Sequence, residues 1–193
     1  MKKMNNQKGF TLVEMAIVLV IGGMMLGAVM KGQGMIETFR AKKLITDIES
    51  ISIACLTYFN MYNALPGDDS SNHGWAGVTG GNGNGWIDGG AEDDGIEAHE
   101  AWQALRRTGI LRGNPAATGT VQFPVTPYGS RYYLGNRSFG AGVGKRNYVR
   151  VNNLTGILAE SIDIKYDDGI YNTGSVHSSA PYTDDNVDLY YSI

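Results

Sequence analysis

The sequence predicts an α+β protein: a long amino-terminal helix, apolar all round in its first half and amphipathic in its second, packed on a carboxy-terminal antiparallel β-sheet domain with long loops. Three observations predict it. From Phe10 to Met30, about 21 residues carry Glu14 as the sole charge, close to the roughly 20 needed to cross a bilayer core as a helix. Apolar residues then recur at Leu44, Ile48, Ile51, Cys55, Tyr58 and Tyr62, in steps of three and four that trace one face of a helix. Farther on, short runs rich in β-branched and aromatic residues are bounded by glycine or asparagine, as strands are.

The first nine residues, Met1 to Gly9, are polar, carry Lys2, Lys3 and Lys8, and end on glycine immediately before the apolar run. An ordinary signal peptide puts a small-residue cleavage site on the far side of its apolar core, and no Ala-x-Ala pattern follows this one. A cut after Gly9 would instead leave the helix on the mature chain. Glu14 needs a partner there, because a carboxylate inside a spanning helix costs on the order of 2.5–3.5 kcal/mol on insertion scales. Cleavage would create an ammonium group on Phe10, four residues before Glu14. Side-by-side helices staggered by about a turn would then pair Glu14 of one with the amino terminus of another, and assembly would be favoured.

The run Gly9-Phe10-Thr11-Leu12-Val13-Glu14 resembles the cleavage motif of the type IV pilin and type II secretion pseudopilin superfamily, which reads glycine, phenylalanine, threonine, leucine, an aliphatic residue and glutamate. The resemblance implies cleavage after Gly9 and N-methylation of Phe10 by a prepilin peptidase. It also implies contact between Glu14 and the amino terminus of a neighbouring subunit in a helical homo- or hetero-polymer. Further implied partners are the lipid bilayer and an inner-membrane assembly platform. The chain would begin as a single-pass inner-membrane protein with its globular domain periplasmic or extracellular, and end in an envelope or surface filament. The resemblance, not the charge count, puts the leader in the cytoplasm, since Lys31, Arg40, Lys42 and Lys43 on the far side balance the leader lysines under the positive-inside rule. The expected function is that of a structural subunit of a type IV pilus-like filament. The alternatives are a pseudopilin of a type II secretion system, and a minor tip subunit with an adhesin role carried by Trp75, Trp86 and the tyrosines from Tyr182 to Tyr191.

The helix is expected to run from about Phe10 to about Ala64, where Pro66 and Gly67 stop it. The expected organisation is a leader at 1–9, a membrane and filament-core segment at 10–30, an amphipathic continuation at 31–65 and one globular domain at 66–193. Cys55 is the lone cysteine, so no disulfide can close within the chain, and its place on the apolar face suits a small buried residue. The formal charge of −3 becomes −6 once the three leader lysines leave, which gives no support to nucleic-acid binding.

Pro66 to Gly95 is rich in glycine, aspartate and asparagine and reads as a long surface loop. Within it, Asn82, Asn84, Asp88 and Glu92, with Asp93 and Asp94 nearby, offer oxygen ligands for an irregular calcium site. The stretch is not an EF-hand, because Gly80 and Ala91 occupy the first and last ligand positions. A short helix is expected from about Glu97 to Thr108, and strands at Arg131 to Leu134, Tyr148 to Asn152 and Val187 to Tyr191. Thr155 to Asp168 fits either a strand or a helix. Asp163, Asp167 and Asp168 form a second acidic cluster, read either as turn chemistry or as cation ligands.

Catalytic signatures are missing. His73, His99 and His177 lack metal-ligand spacing, and Gly140 to Lys145 fails both the P-loop and the Gly-x-Gly-x-x-Gly patterns and reads as a flexible loop. No Gly-x-Ser-x-Gly elbow occurs. The chain is expected not to be an enzyme, with calcium as its one candidate cofactor.

Overall fold

The computed structural model describes residues 9–89, 96–139 and 144–193. In chain order its elements are α1 (Leu12–Tyr62), α2 (Ile96–Arg107), a 3-10 turn (Gly119–Gln122), β1 (Tyr132–Ser138), β2 (Lys145–Leu154), α3 (Gly156–Tyr166), β3 (Val176–Ser178) and β4 (Val187–Ser192). Backbone contacts divide the chain after Arg40, and α1 contributes to both units.

The first unit is the apolar part of α1. Its large side chains are exposed, among them Leu12, Leu19, Met24 and Met30. The helix forms through Gly22, Gly23, Gly27, Gly32 and Gly34, although each costs roughly 1 kcal/mol against alanine. Among the described residues, none of these glycines has a neighbour where a Cβ would stand. By length and composition α1 can cross a membrane, and an all-round apolar helix without a covering partner suits lipid or other helices.

The second unit, from Ala41 onward, has the α+β layout the sequence predicts. Leu44, Ile48, Ile51, Cys55 and Tyr58 are buried along one face of α1, while Tyr62 is half-buried. Their core partners include Leu134 of β1, Val149 and Val151 of β2, Leu189 of β4, and Trp102 and Leu105 of α2. Burial of each large side chain stabilises by about 1.5–3 kcal/mol. The opposite face stays polar and exposed at Lys43, Glu49 and Ser50. Asp47 sits at the border, where its carboxylate accepts from Lys43 Nζ at 2.9 Å and from Tyr132 Oη at 3.1 Å.

All four strands pair antiparallel in the order β1-β2-β4-β3. The expected strands are present, each longer than its propensity core, because ladder pairing extends the strands into Asn136, Arg137 and Lys145. The ambiguous segment is a helix. A register shift between Val151 and Leu154, with Asn153 at φ 58°, bulges the end of β2. Thr155 then caps α3, its side chain accepting from Leu158 N–H, and Ala159, Ile162 and Asp163 turn inward. The alternation of Ile162, Ile164 and Tyr166 loses: Ile164 is exposed.

Candidate functional site

The amino-terminal site is built by the first turn of α1. Gly9 and Phe10 precede the helix and are exposed. Thr11 is its cap: Glu14 N–H donates to Thr11 Oγ1 at 3.2 Å, while Thr11 N–H and Thr11 Oγ1 both donate to Glu14 Oε2, at 2.7 and 2.8 Å. This is a reciprocal capping box. Its signature, Thr-x-x-Glu before an apolar run, is legible in the sequence, and a reading that treats Glu14 only as an intermolecular partner misses it. Within one chain the carboxylate already has donors, which lowers the cost of holding it at membrane depth. The first turn also leaves one face of Phe10, Glu14, Ile17 and Val18 bordering an apolar groove.

The glycine-rich loop is ordered by buried carboxylates. Asp68 accepts from Asn84 N–H at 2.9 Å and Gly85 N–H at 2.7 Å. Glu97, on the first turn of α2, accepts from Asn82 N–H and Asp88 N–H, and Glu100, one turn on, from the backbone of Thr79 and Gly80. All three acids are buried. Satisfied backbone donors are what make such burial tolerable. A Cβ at Gly81 would lie 2.4 Å from Asp68 Cα, so the close approach requires glycine there.

Asn82, Asn84 and Asp88 do come together. Both amides donate to Asp88 Oδ2, at 3.1 and 2.9 Å, and Asp88 Oδ1 accepts from Asn136 at 2.7 Å and Lys145 at 3.4 Å. The bond from Asn84, with those from Asn82, Asn136 and Lys145, outweighs the cost of desolvation and holds the Asp88 carboxyl down at about 2. In this arrangement the donors that surround Asp88 are N–H groups, and a cation would have to displace them. Glu92, Asp93 and Asp94 lie outside the described residues, as do positions 140–143 of the expected flexible loop.

Asp69 is the hub of a second network: it accepts from Tyr58 Oη at 3.1 Å and Ser71 N–H at 2.9 Å, and meets His73 Nε2 at 2.8 Å. Burial opposes ionisation of Asp69, yet these three partners hold its carboxyl below the ordinary range. Tyr62, His73 and Trp75 follow one another beside it as tilted ring contacts, with centroids 4.6 and 4.8 Å apart. Of the aromatics considered for ligand contact, Trp75, Trp86, Tyr182 and Tyr191 are half-buried and Tyr190 is buried. Arg137 covers the Tyr190 ring and donates to its hydroxyl at 2.6 Å, so packing accounts for that residue.

No curated protein and no solved structure matches the chain. Residues 4–30 match the family model for the prokaryotic N-terminal methylation motif, so the chain carries the prepilin-type signal of type IV pilins and pseudopilins.

Proposed function

We propose that this protein is a structural subunit of a type IV pilus-like filament, cut after Gly9 by prepilin peptidase, methylated on Phe10 and polymerised through α1. The observation that carries the reading is a coincidence of position. The methylation motif over residues 4–30 overlies the part of α1 whose large apolar side chains stay exposed among the described residues. Before assembly, lipid solvates that surface, and the capping box satisfies Glu14. On assembly, neighbouring helices replace lipid, and the Phe10 amine of an adjacent subunit takes over the Glu14 carboxylate from Thr11. The domain from Ala41 onward coats the filament and keeps its own core.

Intact mass and amino-terminal sequencing of the native protein test this, made separately on membranes and on fibres sheared from cells. A methylated Phe10 terminus in sheared fibres is the expected result. The same terminus confined to membranes would favour a secretion pseudopilin, and an intact Met1 leader in both fractions would sink the reading.

A further inference from the structure

Charge is segregated along the second half of the chain. From Ala101 to Ala159 there are eight lysines and arginines and no acid, whereas from Glu160 to Ile193 there are seven acids and one lysine. The fold sends these stretches toward opposite edges of the sheet. In the order β1-β2-β4-β3 the edge strands are β1 and β3, about 14 Å apart at ordinary strand spacing. Helix α2 packs on β1, and α3 packs on β3 and β4. A surface built for solubility alone intersperses its charges.

On the β1 side, Arg106, Arg107 and Arg131 donate to the main-chain carbonyls of Gln122, Ala76 and Phe123, which leave the arginine charges uncancelled. Arg106 Nε and Nη1 have no hydrogen-bond partner. Arg106 and the exposed Arg112 border a cleft together with Lys43, Asp47, Leu111 and Val125. Asp47 holds Lys43, so the two arginines set the sign of the cleft. Among the described residues, no carboxylate pairs with any of these four arginines.

On the β3 side, Asp163 is buried against Tyr182, and Asp188 pairs with Arg150. The other five acids form the flank: Glu160, Asp168, Asp184 and Asp185 are exposed, and Asp167 is half-buried. Asp167 ends α3, and Asp184 lies at its head, where the Asp184 carbonyl accepts from Gly156 N–H at 3.1 Å. Lys165, the one cation of this stretch, lies over the Tyr166 ring. Among the described residues, no lysine or arginine pairs with these five acids.

We propose that the basic flank at α2 and β1 of one subunit docks on the acidic flank along α3 of a second copy of this chain. Each flank lacks counter-charge at home, and the complement of each lies on the same chain. A contact between two different surfaces of one subunit is heterologous, so it leaves a flank open at each end and repeats as a ring or a helix. Opposed charges across it fix register and reject like-on-like contact. The inference rests on the filament reading, to which it adds a contact made by the domain.

The test is recovery of the full chain in sheared fibres, with the amino terminus and Tm checked for every variant. Arg112→Glu, and separately Asp184→Lys with Asp185→Lys, change exposed side chains and are each expected to cut recovery about fivefold with cleavage and Tm unchanged. Joined in one chain, the changes make the flanks complementary again, so recovery should exceed that of either variant alone. Wild-type recovery of both variants would overturn the proposal and leave the filament reading standing. So would a combined recovery at or below that of either variant, or a loss confined to Arg112→Glu, which would assign the basic flank to another anion. Absence of the wild-type chain from fibres would remove the filament reading and this contact with it.

Discussion

The two parts of α1 differ in what covers their apolar side chains. From Leu44 to Tyr58 the apolar stripe is buried against α2 and the sheet, whereas from Leu12 to Met30 the large apolar residues remain exposed. One helix is therefore written for two solvents. Its later residues need one apolar face, because a single domain covers them from one side. Its earlier residues need apolar character all round if, as proposed, lipid and then other subunits surround them. The polar exceptions follow the same logic: Asp47 finds Lys43 and Tyr132 inside its own domain, while Glu14 is met by Thr11, three positions away on its own helix.

The sharpest way to break this comparison is at the cleavage site. Gly9→Leu is expected to block processing entirely, seen as retention of the leader by intact mass, with the domain's melting unchanged; a normally shortened product would exclude this cut. Next in size, Glu14→Ala should leave insertion and cleavage intact but reduce recovery in sheared fibres by tenfold or more, about 1.4 kcal/mol or greater in assembly. Wild-type recovery would contradict pairing between subunits.

A matched pair of truncations sharpens the contrast between the two stretches. Leu44→Ala should destabilise the domain by about 2–5 kcal/mol, read as a lower Tm, whereas Leu19→Ala should leave that Tm unchanged. Equal effects would mean that both stretches share one core.

The smallest expected effect is acid sensitivity at the glycine-rich loop. The Asp88 carboxyl is held down at about 2 in the folded chain against an ordinary value of 3.8. Its contribution is thus present above about pH 4 and lost as pH falls toward 2. Asp88→Asn should flatten that part of the Tm-against-pH curve; a curve identical to wild type would show that the loop's N–H groups do not depend on the charge. Asp163 runs the other way: burial raises its carboxyl, so its contribution is fully present at low pH and is lost as pH rises from the ordinary carboxylate range through its folded value.

By itself, the sequence determined the features that arise locally. Hydrophobic periodicity gave both characters of α1, and Pro66-Gly67 gave its end to within a few residues, because side-chain pattern and backbone restriction act within a turn or two. The prepilin-type motif was legible for the same reason: a peptidase reads contiguous residues. The tertiary structure alone decided what depends on distant partners. Nothing near Glu97 and Glu100 in sequence says that their carboxylates accept from the backbone of Thr79 to Asp88, so only the tertiary structure shows that this long surface loop is held from beneath. The choice of helix for Gly156 to Tyr166 was likewise made at a distance, by the pairing of β2 with β4 that bulges at Asn153 and by the core that receives Ala159 and Ile162. Local propensity is worth tenths of a kcal/mol per residue, and burial of whole side chains is worth several times more, so where the two compete the tertiary contacts choose.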